Sequence, residues 1–319
     1  MKGVNKQLHF NRYYTLILFG ILIGLVIVMS NVSTYFLTKD NILNLLNQLS
    51  IDLIISLGTM FAITARQTDL SIGSIIGVTG LVTAMVYKSG IPESLALVIG
   101  LAVAIIVGLI NGLIISFGKV DSFIITLAVS TILRGIILVV TQARPYYNFG
   151  PIFRYIGTGE MFGVKVPVMI SFTLIIVVVL LFNNTRIGKY FKFIGSNEIA
   201  LHRSGVNVNK YKILIFVINA FFAGIAGLIM ASRLNSAEPL AGQGYEIEAI
   251  SIVVLGGTNP VTGNVTVLGT LLACFIINII ENGLILVGVS THYQRIITGV
   301  ILIIAVIFSE TNRRRSSEI

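Results

Sequence analysis

Apolar residues gather into long runs that short polar stretches interrupt, at 14–36, 49–65, 72–87, 95–117, 123–141, 168–182, 213–232, 247–255, 265–280 and 296–308. A helix needs about 20 residues to cross the hydrocarbon layer, and backbone that meets lipid must satisfy its own hydrogen bonds. The pattern therefore predicts an all-α fold: a polytopic integral membrane protein with about ten transmembrane helices, built as one domain over 1–319. The first run follows Lys2, Lys6 and Arg12 and exceeds the apolar core of a cleaved signal peptide, so it is expected to remain as the first helix.

The longest polar interruption is 183–212, NNTRIGKYFKFIGSNEIALHRSGVNVNKYK. Arg186, Lys189, Lys192, Arg203, Lys210 and Lys212 make it basic, and a short basic loop between spans marks the cytoplasmic side. Within it, Ser196 or Asn197 can cap a two-turn helix over 198–204, and Gly205 fits the left-handed position that ends one. Ile199, Ala200 and Leu201 alternate with Glu198, His202 and Arg203, a mixed face suited to docking in a groove on another protein.

Starting with the N-terminus inside, ten crossings place 14 of the 22 lysines and arginines in cytoplasmic segments, among them Arg66, Lys119 and Arg313 to Arg315. Both termini are therefore expected in the cytoplasm. The longest segment on the far side, 142–167, is rich in Gly, Pro and aromatics, and either receives an external partner or packs as a cap.

Two breaks interrupt the apolar pattern. ITARQTDLSIGS, 63–74, puts Arg66, Asp69 and Ser71 between two runs, and LGGTNPVTGN, 255–264, surrounds Asn259 with glycines and a proline. Irregular backbone at membrane depth survives only where protein buries it or water lines it, so such breaks flank a pathway or form tight turns at the surface. The turn reading makes Arg66 and Asp69 local helix-end charges near a partner surface. The pathway reading draws on Asp69, Ser71 and Asn259, with Asn111 and Asn282 from two NGL triplets, as pathway or gate residues.

Ionisable residues inside spans cost a few kcal/mol unless paired or wetted. Asp52, Arg134, Glu281 and Arg295 are thus either functional or sited at span ends, the span-end placement being the expectation, and Glu246 and Glu248 are expected at a helix N-terminus, where the dipole favours them. Small-residue pairs, Gly20 with Gly24, Gly73 with Gly77 and Gly108 with Gly112, permit close helix approach.

Composition narrows the class. Hydrophobic residues make up 55% and charged residues 11% of the chain, with a mean hydropathy of +0.94, against about 25% charged in a soluble domain. The net charge of +9 sits beside apolar spans, where it reports orientation, so no nucleic-acid partner is expected. Cys274 stands alone, and His9, His202 and His292 lack ligand spacing, which argues against a disulfide framework and a metal site. No phosphate loop, HExxH or GxSxG occurs, so neither ATP hydrolysis by that route nor protease or esterase chemistry is expected of this chain.

Four blocks, TDLSIGS (68–74), GLINGLIISFGKVDSFIITLAVSTILRG (108–135), IGSNEIALHRSGVNVNKYKI (194–213) and AGLIMASRLNSAEPLAGQGYEIEAISIVVLGGTNPVTGN (226–264), resemble the permease subunit of bacterial ABC importers for simple sugars, the ribose permease family. The family usually has GGIDLS where this chain has RQTDLS, and GGTS where it has GGTNPVTGN. The resemblance implies a multi-pass protein of the bacterial cytoplasmic membrane that pairs with a second permease, as a homodimer or heterodimer. It further implies cytoplasmic ABC ATPase subunits, which would bind ATP and Mg, and an extracytoplasmic sugar-binding protein. The family's coupling helix maps onto Gly195 to Gly205, where Gly195, Ser196, Asn197, Glu198, Ala200, Leu201, Arg203, Ser204 and Gly205 would engage the ATPase. The implied cargo is a monosaccharide, ribose first, with xylose, galactosides or the sugar-like signal autoinducer-2 behind it.

Overall fold

A computed structural model describes residues 2–259 and 263–290, with residues 293, 296, 297, 299, 300 and 303. The predicted run 296–308 falls mostly outside these residues, as do Arg295 and Arg313 to Arg315. The described chain forms α1 (Lys2–Val32), α2 (Lys39–Thr64), α3 (Ile72–Lys88), α4 (Glu93–Gly118), α5 (Ser122–Thr141), α6 (Pro151–Thr158), α7 (Val166–Asn184), α8 (Arg186–Arg203), α9 (Val208–Leu234), α10 (Tyr245–Leu255) and α11 (Val267–Leu286). Seven of these, α1, α2, α4, α5, α7, α9 and α11, are long and apolar enough to cross a membrane; α3 is a shorter apolar helix, and α10 has 11 residues. Two-residue strands add two small ribbons, β1 (Tyr146–Tyr147) with β4 (Ser236–Ala237) and β2 (Glu160–Met161) with β3 (Val164–Lys165). The fold is thus helical but not purely so.

Local signals explain several boundaries. The Thr38 hydroxyl accepts from the Asn41 amide and starts α2 ten residues before the apolar run at 49, because Leu45 and Leu49 already face the core. Asp121 caps α5 by accepting from the Phe123 amide. Glu246 and Glu248 lie in the first turn of α10, at the helix start predicted for them.

Between membrane helices lipid offers no hydrophobic drive, so close backbone approach supplies the packing. On α4, Gly100, Ala104, Gly108 and Gly112 recur every four residues; Ala104, Gly108 and Gly112 form a smooth stripe against α9, whereas Gly100 meets Thr79 and Thr83 of α3. A Cβ added at Gly112 would lie 2.7 Å from the Ile213 Cα, and one at Gly108 would press on Ala220 and the Phe216 carbonyl. From α9, a Cβ at Gly224 would come within 2.8 Å of the Ala104 Cβ. Gly20 and Gly24 on α1 meet nothing within 4 Å. Their spacing alone did not distinguish them from Gly108 and Gly112.

The bundle has two distinct ends. At one, α8 lies against the C-terminus of α2, where Gly195 abuts the Thr64 carbonyl, and against the 256–266 segment, where Gly263 abuts the Lys192 carbonyl. At the other, α6 is held to the C-terminus of α9: the Gly157 amide donates to the Ser232 hydroxyl (2.7 Å), which donates to the Phe153 carbonyl. There Glu93 accepts from the Ile152 amide (2.8 Å), and Asn235 accepts from the Phe149 amide (3.1 Å).

Candidate functional site

The α8 end carries a platform with a sequence-encoded kink. The Thr185 side chain accepts from the Gly188 amide and starts α8. Helical geometry fails at Asn197 (φ −158, ψ 87), whose Oδ1 accepts from the Ala200 amide at 2.9 Å and begins a second, short helix. Gly205, at φ +86, follows its last turn. The predicted cap, helix and left-handed glycine all appear, and helix also extends back to Arg186 through residues that the sequence showed only as a polar interruption. Phe191 and Ile194 of the first half are buried, Phe191 packing edge-on to Phe61 (5.8 Å), which stacks on Phe182 (4.8 Å). Burial also lowers the pKa of the Lys192 ammonium, which sits 5.7 Å over the Phe182 ring.

Of the residues expected at the coupling surface, Gly195 and Leu201 are buried and anchor the platform from below. Ser196, Asn197, Ala200, Arg203, Ser204 and Gly205 are exposed, and the half-exposed Glu198 pairs with Lys212 of α9 at 2.7 Å. Phe193 and Ile199 add large exposed apolar surface, 53% and 67%. Phe193 escaped the sequence reading because it precedes the capped turn; its i, i+6 offset from Ile199 across the kink was the only signal.

The first break is a buried polar knot. Asp69, fully buried, accepts from the Ser71 amide (2.9 Å), the Ser71 hydroxyl (2.6 Å) and Asn219 Nδ2 (3.0 Å). Asn111 Nδ2 donates to Ser71 Oγ at 2.8 Å. Ser122 and Thr126 of α5 accept from the Thr68 and Leu70 amides, both at 3.0 Å. Tertiary partners thus satisfy the irregular backbone. Asp69, Ser71 and Asn111 meet here; Asp69 is inside the protein and not a surface helix-end charge. Asn282 is elsewhere, in a reciprocal amide pair with Asn41 (2.9 and 3.0 Å) that joins α11 to α2. Asn259 bridges to Asn264 across the second break.

Two charges expected at span ends lie mid-helix. Asp52 is buried in the middle of α2 and accepts from Asn278 Nδ2 at 2.9 Å. Arg134 occupies the interior of α5 and donates to the Ala241 carbonyl (2.7 Å), the Gly73 carbonyl (2.9 Å) and the Pro239 carbonyl (3.4 Å). The segment between β4 and α10 therefore folds back into the bundle until its carbonyls reach the interior of α5. Partners more than 60 residues away satisfy both charges, and run boundaries could not show them. Among the described residues no His, Cys, Asp and Glu group is arranged to hold a metal ion.

Residues 41–306 match the family model described as "Branched-chain amino acid transport system / permease component". The chain is 39% identical over 290 residues, 90% of each chain, to the ribose import permease protein RbsC of Haemophilus influenzae. It is 37% identical to RbsC of Bacillus subtilis over 317 residues, 98% of this chain and 97% of the relative. The D-allose transport system permease protein AlsC of Escherichia coli is 34% identical over 306 residues, covering 96% and 93%. No solved structure matches. With a family match across most of its length, relatives above 30% identity and seven helices of membrane-crossing length, this chain belongs to that family of transport-system permease components.

Proposed function

We propose that the chain is the membrane-spanning subunit of an ATP-driven importer of the bacterial cytoplasmic membrane, passing a monosaccharide, first a ribose-like pentose, received from an extracytoplasmic sugar-binding protein. The relatives described above carry ribose and allose in their names, which favours a sugar over the amino acids in the family description. In this reading the chain crosses the membrane ten times with both termini in the cytoplasm, which puts α8 on the inner face. It forms a homodimer or heterodimer, catalyses no bond chemistry and binds no cofactor; ATP and Mg belong to the partner ATPase.

The observation that carries the proposal is the α8 platform. It couples an exposed docking turn, with Ile199 and Arg203 outward, to a buried first half wedged on α2. Force applied to that turn reaches the bundle through packed side chains. Asp69, Ser71 and Asn111 then act as a rigid hinge near the inner gate, with Asn259 in the neighbouring break and Asn282 at the outer end.

Reconstitution tests the proposal. Vesicles containing this chain, its ATPase and its binding protein are expected to import a monosaccharide only with ATP. A second reading, an ion-coupled secondary transporter, draws on Asp52 buried mid-helix. It predicts uptake by the chain alone under an ion gradient.

A further inference from the structure

At the α6 end, where the segment between β4 and α10 folds back, a cavity of about 560 Å³ opens between α2, α9 and α10. Its polar lining comes from Gln48 of α2, Arg233 of α9, Glu238 and Gln243 of the returning segment, and Tyr245 at the start of α10. The volume is within the range of small-molecule sites, about 300–1,000 Å³. Two carboxamides supply both donors and acceptors, Arg233 supplies a planar donor fork, and Tyr245 offers a ring face beside a hydroxyl. That mixture suits a ring carrying alternating hydroxyls: each hydroxyl donates once and accepts twice, and the carbon–hydrogen face packs on an aromatic ring.

The site is held from behind. Arg134 fixes the Pro239 and Ala241 carbonyls, so the segment that supplies Glu238 and Gln243 is anchored to the interior of α5. Glu238 is oriented by Ser236, whose hydroxyl donates to its Oε1 at 2.7 Å. Polar groups continue inward: Asp52 follows Gln48 by one turn of α2, and Glu248 follows Tyr245 along α10. Beside Asp52, the Oδ1 of Asn278, a residue only 2% exposed, has no protein partner. A buried unpaired acceptor is costly and suits an ordered water; Asn278 itself lies behind the residues that line the cavity.

We propose that this cavity is a binding site for a cyclic monosaccharide within the permease itself, so that the membrane subunit reads the hydroxyl pattern of its cargo. The inference rests on the sugar-import reading above and adds a selective site to it. Selectivity then has two stages, capture by the binding protein and inspection at the mouth of the bundle.

The chain contains no tryptophan, so one introduced indole reports alone. Leu240→Trp and, separately, Leu234→Trp replace exposed cavity residues (58% and 54%). The full chain in lipid nanodiscs is titrated with D-ribose, D-allose and L-arabinose, against glycerol and L-leucine. The expected result is a saturable fluorescence change with at least one monosaccharide and none with glycerol. Combined Gln48→Ala and Gln243→Ala should raise the half-saturating concentration about tenfold. If that pair fails to fold, as judged by circular dichroism and gel filtration, Gln243→Ala alone, at an exposed position, is expected to raise it about threefold. A flat titration with both reporters, a response the glutamine variants leave unchanged, or saturation by leucine but no sugar overturns the proposal. Sugar import by the assembled transporter alongside a flat titration rejects the site alone. Absence of any monosaccharide import rejects the functional reading itself.

Discussion

Arg134 Nη1 donates to the Ala241 carbonyl at 2.7 Å, joining the interior of a transmembrane helix to a segment more than 100 residues further along the chain. Its other amine reaches Gly73 on α3, so one guanidinium ties three elements together. A charge in this setting is tolerated because its hydrogen-bond partners replace the water it left.

Arg134→Leu is expected to free the Pro239, Ala241 and Gly73 carbonyls and cost about 3 kcal/mol, from two close charge-assisted bonds, to Ala241 and Gly73, at roughly 1.5–3 kcal/mol each, partly offset by relaxation. Arg134→Lys should recover less than half of this, since an ammonium lacks the planar fork that spans two elements. Thermal unfolding in detergent gives the stability. Hydrogen exchange should show lost protection concentrated at 236–245, and uniform loss across the bundle would contradict the latch.

Asn197→Ala removes the side chain that starts the second half of α8, with an expected local cost of about 1 kcal/mol. Asn197→Asp keeps an acceptor and should behave as wild type. Gly205→Ala strains a residue at φ +86 by about 1 kcal/mol. Both damaging changes should weaken ATPase-subunit capture in pull-downs while leaving the melting temperature of the isolated chain within about 2 °C. Ile199→Glu should abolish capture, by removing apolar contact and setting a charge in its place.

Two glycines with the same spacing signature should respond in opposite ways. Gly108→Leu drives a side chain into Ala220 and the Phe216 backbone, and is expected to prevent close docking of α9 on α4. Gly24→Leu meets open space and should change stability by less than about 0.5 kcal/mol. Yields of monodisperse protein from matched membranes separate them, and equal yields would contradict the packing argument.

Asp69→Asn replaces a carboxylate that accepts three hydrogen bonds, putting an amide donor where the Ser71 or Asn219 donor now points. The expected loss is about 1–3 kcal/mol. Asn219→Asp, which sets two carboxylates together in a buried site, should cost more, whereas the pair Asp69→Asn with Asn219→Asp should restore part of the stability. A double-mutant cycle on thermal unfolding reads this coupling, and strict additivity would show that the two side chains act independently.

Much of this protein was legible in order along the chain, because a bilayer imposes a local rule: each crossing must be apolar and helical over its own length. The runs at 95–117, 123–141 and 213–232 became α4, α5 and α9, and the breaks at 63–74 and 255–264 stayed breaks. The Asn197 cap and the left-handed Gly205 were legible for the same reason, since a helix end is decided within a few residues. Only the tertiary structure decided which glycines are packed, because Gly24 and Gly108 differ solely in what another helix brings near them. It likewise decided that distant carbonyls compensate Arg134 and a distant amide Asp52, and that residues 239–241 return to meet Arg134. The environment of a buried charge is a sum over neighbours in space, and no window of sequence contains it.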